Sequence, residues 1–229
     1  MGMRHRFLLF LLASLSVITI ANGGDSVVQR FESRYSAAHA MEAKFLERYY
    51  ENGKQVRAEA GVAYFQRPGR MRWDYESPEK NTFLVDGKYV WFYSPADHTV
   101  TRMPTKQSED WRTPLAFLTA HMKLSRVCSD LRLELQTPPS TPVNEVYACT
   151  LRSGPELKSG PSKVAILELS PSGELVRILV SEEGGIRLEF SFGAWKFDPP
   201  LEKGLFEFVP PKDAVIVNGL LPEAPGMRQ

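Results

Sequence analysis

The chain has little cysteine and histidine, and it has no excess of charge of either sign. Its 229 residues include 2 cysteines and 4 histidines, with 28 lysines and arginines against 27 aspartates and glutamates. Proteins that bind nucleic acid through its phosphates carry a basic excess, so this balance excludes that class. Two cysteines are too few for a disulfide scaffold or a cysteine-rich metal site. Glycine and proline, at 16 and 17, are close to average usage, which excludes collagen-like and low-complexity chains.

The motifs of the common enzyme classes are absent as well. The patterns H-E-x-x-H, G-x-S-x-G, G-x-G-x-x-G and C-x-x-C do not occur. His39, His98 and His121 are far apart in the sequence. We therefore predict a protein that is not an enzyme, with no catalytic residue, no metal and no cofactor. A lipid-modifying hydrolase is the enzymatic alternative, and it would need a nucleophile motif that the sequence lacks.

One long apolar run is present, at the N-terminus. Residues Phe7–Ile20 follow Arg4 and Arg6 and precede the small-residue stretch Ala21–Gly24. This order of basic, apolar and small residues is typical of a secretory signal peptide. A helix over the apolar run would span only about 21 Å, which is short of the ~30 Å hydrocarbon core of a bilayer. We predict that residues 1–23 are a cleaved signal peptide and that residues 24–229 form one exported domain.

Beyond this segment an apolar period of two dominates. In Met71–Tyr75, for example, apolar side chains alternate with charged ones, and Asp86-Gly87 joins two further segments as a two-residue hairpin. About eleven such strands follow one another, the last of them at Leu205–Val209. Strands joined by short turns form an antiparallel barrel or a curled sheet, so we predict a mainly β fold.

Two segments have the pattern of helices instead. Residues Val27–Ala38 carry an apolar stripe at helical spacing, with Asp25 or Ser26 as the N-cap. Thr113-Pro114 is a helix start, and the short apolar segment Leu115–Met122 follows it. Helices with apolar faces are suited to cover an open β-sheet.

The predicted strands are rich in aromatic residues, among them Trp73, Tyr75, Trp91 and Tyr93. On this pattern alone two interpretations stay open: the rings fill a dry β core, or they line a ligand cavity under the helices. The sequence also leaves open which face of the sheet Trp91 and Tyr93 point to, because the residues beside them are apolar too.

Cys128 and Cys149 lie in predicted strands on either side of a proline-rich turn. An exported protein can form a disulfide between them. Such a bridge would close a loop of about 20 residues and stabilise the fold by roughly 3 kcal/mol. Two unpaired buried thiols are the alternative.

Four motifs, in order along the chain, resemble the LolA family of periplasmic lipoprotein carriers. They are QRPGRMRWDY from Gln66 to Tyr75, FLVDGKYVWFYSP from Phe83 to Pro95, TPLAFL from Thr113 to Leu118 and FEFVPP from Phe206 to Pro211. Each motif is weak alone, whereas the ordered set spans nearly all of the predicted mature chain.

The resemblance implies an unclosed antiparallel half-barrel of about eleven strands, with α-helices that form a lid over a hydrophobic cavity. It implies a periplasmic protein that shields the acyl chains of lipoproteins on their way from the inner to the outer membrane. The implied partners are these acyl chains as cargo, an inner-membrane LolCDE-type ABC extractor and an outer-membrane acceptor. We expect a monomer.

Two of the candidate site residues are implied by the same resemblance. Arg67 matches the arginine that contacts the lid, and we predict that its guanidinium closes the lid through helix carbonyls. Met71 matches an apolar position four residues after that arginine. We predict that the cavity wall comprises Met71, Trp73, Tyr75, Trp91, Tyr93, Phe117 and Leu118.

A periplasmic lipid- or lipoprotein-sensing regulator of the same fold is the alternative function. Such regulators carry a further C-terminal domain, whereas this chain ends soon after Pro211. The outer-membrane acceptor of the same pathway would need a lipidated cysteine just after the signal peptide, and none is present.

Overall fold

The structure, a computed structural model, describes residues 25–105, 123–152, 164–181 and 183–219. The helices are α1 (Val27–Ala37) and α2 (Leu124–Val127), and a 3-10 turn covers Glu183–Gly185. The strands are β1 Ala40–Glu51, β2 Lys54–Gln66, β3 Arg70–Ser77, β4 Asn81–Val85, β5 Tyr89–Ser94, β6 Thr99–Pro104, β7 Cys128–Leu133, β8 Glu145–Leu151, β9 Val164–Leu169, β10 Leu175–Ser181, β11 Ile186–Phe197 and β12 Val215–Asn218. Across the described ranges, no helix has the length and apolar character to cross a membrane.

Helix α1 begins with a capping box. The Ser26 hydroxyl accepts the Gln29 N–H, and the Gln29 side chain accepts the Ser26 N–H. The apolar stripe, which ends at Tyr35, is buried against the sheet. The predicted helix over Val27–Ala38 is confirmed, and Ser26 is the cap that it uses.

The twelve strands form one sheet in the order β12-β6-β5-β4-β3-β2-β1-β11-β10-β9-β8-β7. Neighbours are antiparallel except at one edge, where β12 runs parallel to β6. The edge strands β12 and β7 do not pair with each other, so the sheet is an open half-barrel. The predicted unclosed, mainly β half-barrel is confirmed. Within the described residues it has twelve strands in place of about eleven, and one parallel pair in place of a purely antiparallel sheet.

The prediction of a final strand at Leu205–Val209 is wrong. This segment has no strand pairing and crosses the outside of the sheet, where the Phe206 ring is buried. Arg72 Nη1 donates to the Leu205 carbonyl at 3.1 Å and holds the segment there. The alternation that predicted a strand reflects rings that pack on the sheet instead of pairing in it. The last strand of the described ranges is β12, which begins at Val215.

The two faces of the sheet have different covers. We call the face on which α1 packs the inner face, and the opposite one the outer face. The main core lies between α1 and the inner face. A smaller core lies on the outer face, under residues 201–214, which we call the outer strap.

Candidate functional site

The inner face carries rows of apolar side chains that run across the strands. Met71 of β3 pairs with Phe65 of β2, and Trp73 of β3 pairs with Phe83 of β4. Met71 and Trp73 are fully buried, and Tyr75, two residues further along β3, is buried as well. Three of the predicted cavity residues, Met71, Trp73 and Tyr75, therefore lie together on the face that α1 covers.

Trp73 is the centre of an aromatic cluster on the inner face. Its ring centroid lies 4.6 Å from that of Phe45, 5.7 Å from that of Phe190 and 5.9 Å from that of Phe192. These rings meet edge to face, an arrangement worth about 0.5–1.5 kcal/mol per pair beyond area burial. An uncovered aromatic surface of this kind promotes aggregation, so it needs a cover or a ligand.

Trp91 and Tyr93 lie on the outer face and not, as predicted, with the other cavity residues. Paired residues of neighbouring strands share a face, and Phe92 pairs with Phe83 of the inner face. Trp91 and Tyr93 flank Phe92 and therefore point away from α1. Their rings instead lie 5.2 Å and 6.0 Å from the ring of Phe208 in the outer strap. Because β5 is apolar at almost every position, its sequence has no alternating pattern that shows which side chains point to the inner face.

Arg67 follows β2 directly, and its side chain reaches the C-terminal end of α1. One Nη atom donates to the Ser36 carbonyl at 2.6 Å, and the other donates to the Tyr35 carbonyl. The last carbonyls of a helix have no partner within it, so the guanidinium fork satisfies two of them at once. Its charge also complements the negative end of the helix dipole. Arg67 thus ties the sheet to the helix that covers its inner face.

Asp198 holds the joint between α1 and β1. Its Oδ1 accepts the N–H groups of His39 at 2.6 Å and of Ala40 at 3.0 Å. The hydrogen bonds from Ala40 and His39, supported by the nearby Arg67 charge, lower the pKa of Asp198 below its ordinary value. Sequence reasoning missed this residue because its partners lie 158 and 159 positions away along the chain.

Two buried carboxylates interrupt the apolar inner face. Glu47 of β1 and Glu59 of β2 face each other across the strands, and both are buried. The Tyr75 hydroxyl donates to Glu47 Oε2 at 2.8 Å, and Arg57 Nη2 lies 2.8 Å from Glu59 Oε2. Sequence reasoning missed these carboxylates, although their parity could have revealed them. Glu47 falls on the apolar side of the alternation in β1, where an unpaired charge would be costly.

Cys128 and Cys149 form a disulfide between β7 and β8, with their Cα atoms 5.3 Å apart. Both side chains are buried in the main core, so the bridge ties an edge strand to its neighbour under the cover. Phe117 and Leu118, with the predicted helix Leu115–Met122, lie outside the described residues.

The protein is thus an open β half-barrel whose apolar inner face is covered by a helix. An arginine that directly follows a strand of the sheet fastens this helix in place. The family model described as outer membrane lipoprotein carrier protein LolA matches residues 36–209, which is most of the chain. The chain therefore belongs to the LolA family, whose members are carriers and not enzymes. The resemblance inferred from the four motifs is confirmed.

Named relatives agree with this assignment. The outer-membrane lipoprotein carrier protein of Photobacterium profundum is 28% identical over 185 residues, which cover 80% of this chain and 85% of that protein. The protein of the same name from Neisseria meningitidis serogroup C is 24% identical over 214 residues, covering 93% and 98%. Among solved structures, an uncharacterized conserved protein from Thermus thermophilus has a TM-score of 0.52 at 18% identity, covering 84% of this chain and 97% of its own. This last likeness shows the fold alone.

Proposed function

We propose that the protein is a periplasmic carrier that shields the acyl chains of lipoproteins and moves them from the inner to the outer membrane. Residues 1–23 are a signal peptide removed on export, and residues 24–229 form one carrier domain. The cargo comes from an inner-membrane LolCDE-type ABC extractor and passes to an outer-membrane acceptor. Binding and release involve no catalysis, metal or cofactor.

The observation that carries the proposal is the Arg67 contact with the last carbonyls of α1, above the buried apolar rows of the inner face. In the closed state, Phe31 and Tyr35 of α1 occupy the same core as Met71 and Trp73 of the sheet. When α1 moves away, acyl chains take the place of these helix side chains. The closed state is thus the empty carrier, with its apolar face protected from water.

The energetics of acyl chains suit a cover that is held by a few hydrogen bonds. Exposing a chain of about 15 methylene groups to water costs ~12 kcal/mol, at ~0.8 kcal/mol per group. Transfer from a bilayer to an apolar protein face is nearly neutral, because both environments exclude water. Small free-energy differences between the loaded and the empty protein therefore decide whether the cargo is held or released. The closing of α1 over the empty face favours release.

Replacing Arg67 with leucine tests this role. The two lost hydrogen bonds involve a charged donor and are worth about 1.5–3 kcal/mol each, so the empty closed state loses stability relative to the loaded one. We expect Arg67→Leu protein purified from the periplasm to retain lipoprotein and to transfer it to the acceptor at least about tenfold more slowly than wild type. The measurement is the rate at which lipoprotein moves from the carrier to acceptor-containing vesicles.

Arg70→Leu is the matched control, because Arg70 is an exposed arginine at the start of β3, three residues after Arg67. It should transfer cargo like wild type. Normal uptake and transfer by Arg67→Leu would contradict the proposal.

Mass spectrometry of the material that co-purifies with the wild-type protein separates a carrier from a lipid hydrolase. A carrier holds intact triacylated peptide in an amount that stays constant with time. Free fatty acid that accumulates during incubation would contradict the carrier function and favour the hydrolase.

A further inference from the structure

Helix α1 packs so closely on the turn between β9 and β10 that the turn has no room for a side chain at Gly173. Gly173 in this turn has φ +79°, and a Cβ built on it would lie 2.5 Å from the Phe31 nitrogen and 2.7 Å from the Arg30 carbonyl carbon. A side chain is therefore excluded at this position. Arg30 Nε also donates to the Pro171 carbonyl at 2.7 Å. The turn is thus a seat for α1, separate from the Arg67 contact.

The Tyr35 hydroxyl makes a hydrogen bond to Leu175, the first residue of β10, directly after the same turn. It accepts the Leu175 N–H at 3.0 Å, and the whole Tyr35 side chain is buried. The carbonyl of Leu175 accepts Trp195 Nε1 at 2.8 Å. The Tyr35 ring is held edge-on by Trp195 and Phe197, at centroid distances of 5.2 Å and 5.3 Å. Two aromatic side chains therefore satisfy both backbone groups of Leu175.

The position of Leu175 explains why this hydrogen bond matters. The β9–β10 pairing shifts register between Leu175 and Arg177. At this irregular end of the strand, Tyr35 supplies the acceptor for the Leu175 N–H. A buried N–H that loses its acceptor is destabilising, so withdrawal of α1 from the turn is opposed. Burial raises the pKa of Tyr35 far above its ordinary value, so the hydroxyl stays protonated at physiological pH.

We propose that α1 is held closed at two points, and that the Tyr35 hydroxyl on the Leu175 N–H is a second latch beside Arg67. The inference rests on the proposed function only in treating α1 as the lid. Tyr35 is a positioning residue, because its carbonyl accepts from Arg67 while its ring and hydroxyl fix where that carbonyl lies. Loss of the Arg67 contact alone leaves α1 seated on the turn, and full opening requires both contacts to break.

Hydrogen exchange of the purified, cargo-free mature protein tests the second latch without any transport assay. We expect Tyr35→Phe to speed exchange of the α1 amides about tenfold, the equivalent of ~1.4 kcal/mol, while the amides of β1 and β2 keep their wild-type rates. Gly173→Ala places a methyl group against the backbone of α1 and should also speed exchange of the α1 amides. Tyr93→Phe, which removes a hydroxyl from the outer face, is the control and should change nothing in α1.

The double variant Tyr35→Phe/Arg67→Leu tests whether the two contacts are independent. For two separate latches the accelerations multiply, to about a hundredfold if each alone gives tenfold. Exchange in α1 that stays within about twofold of wild type in Tyr35→Phe overturns the inference. An acceleration spread equally over α1, β1 and β2 also overturns it, because that pattern reports loss of global stability.

Transport measured on the same variants separates this inference from the proposed function. If α1 responds as expected but the wild-type protein transfers no lipoprotein, the latch stands and the carrier function fails. If the wild type transfers lipoprotein and α1 does not respond to Tyr35→Phe, the carrier function stands and the latch fails.

Discussion

Asp198 is an exposed carboxylate that stabilises the connection between α1 and β1. Its pKa is lowered from an ordinary value of 3.8, chiefly by the N–H groups of Ala40 and His39. For a group whose pKa is lower in the folded state, the contribution to stability is complete above the ordinary pKa and is lost as the pH falls through the lowered one. We expect the Tm of Asp198→Asn to lie below that of wild type at about pH 7, with the difference shrinking toward pH 2. Thermal unfolding followed by circular dichroism measures it.

Asp213→Asn serves as the control for this titration, since Asp213 is an exposed aspartate in a surface pair with His98. Such pairs contribute little to stability, so its Tm should follow that of wild type across the pH range. A constant difference between Asp198→Asn and wild type down to pH 2 would show that the carboxylate charge is not what holds the joint.

Single residues differ in how far their roles can be predicted from sequence. Arg67 and Met71 lie in a motif that resembles the family, and their positions follow from residues beside them in the chain. The acceptor role of Asp198 and the Leu175 contact of Tyr35 join residues about 140 or more positions apart. No local pattern encodes such pairings, because they depend on how β1 and β11 are brought together.

Among the elements, the long β7–β8 connection is held by a buried charge. Glu168 of β9 is fully buried, and its Oε1 accepts the Ser140 N–H and the Asn144 amide, each at 2.7 Å. Its Oε2 lies 2.7 Å from Arg177 Nε. Burial alone would raise the pKa of Glu168, but hydrogen bonds from Asn144 and Ser140 and the charge of Arg177 together keep it below its ordinary value.

Glu168→Gln tests this anchor. The substitution keeps the shape of the side chain but leaves the Arg177 charge without its carboxylate, so we expect the free energy of unfolding to fall by about 3 kcal/mol. Urea unfolding measures the change. Glu202→Gln, at an exposed glutamate, should lie within about 0.5 kcal/mol of wild type. A Glu168→Gln protein as stable as wild type would mean that the ion pair with Arg177 does not hold the connection.

Elements were predictable where one face of a strand is polar. The alternation in Met71–Tyr75 identified both β3 and its inner face, because charged residues separate the apolar ones. In β5 and in Leu205–Val209 the pattern is ambiguous for opposite reasons. The strand β5 is apolar on both sides because the outer strap covers its outer face, and Leu205–Val209 alternates because it packs on that face.

At the level of the whole molecule, the half-barrel is held from both sides. Helix α1 covers the inner face, while the outer strap runs over the outer face and leads into β12. The strap begins beyond Asp198, the residue that fixes the joint between α1 and β1. Beyond the strap, β12 lies beside β6, and Arg102 donates to the Asn218 side chain at 2.8 Å. A single stretch of chain therefore connects the joint between α1 and β1 to the far edge of the sheet, and we expect it to limit how far the half-barrel can spread.

Phe206→Ala tests the mechanical role of the strap. The Phe206 ring is buried among Leu84, Trp91 and Val100, so its removal leaves a cavity and should lower the free energy of unfolding by about 3 kcal/mol. The Val215 N–H donates to the His98 carbonyl just before β6, and the Gly219 N–H donates to the Arg102 carbonyl of β6. If the strap also holds β12 against β6, these two amides should exchange faster than the amides of β1. Val209→Ala, at a side chain that is 84% exposed, should leave both measurements unchanged. Destabilisation without selective exchange at β12 would make the strap a contributor to the core only, and the width of the half-barrel would then depend on its strand pairing alone.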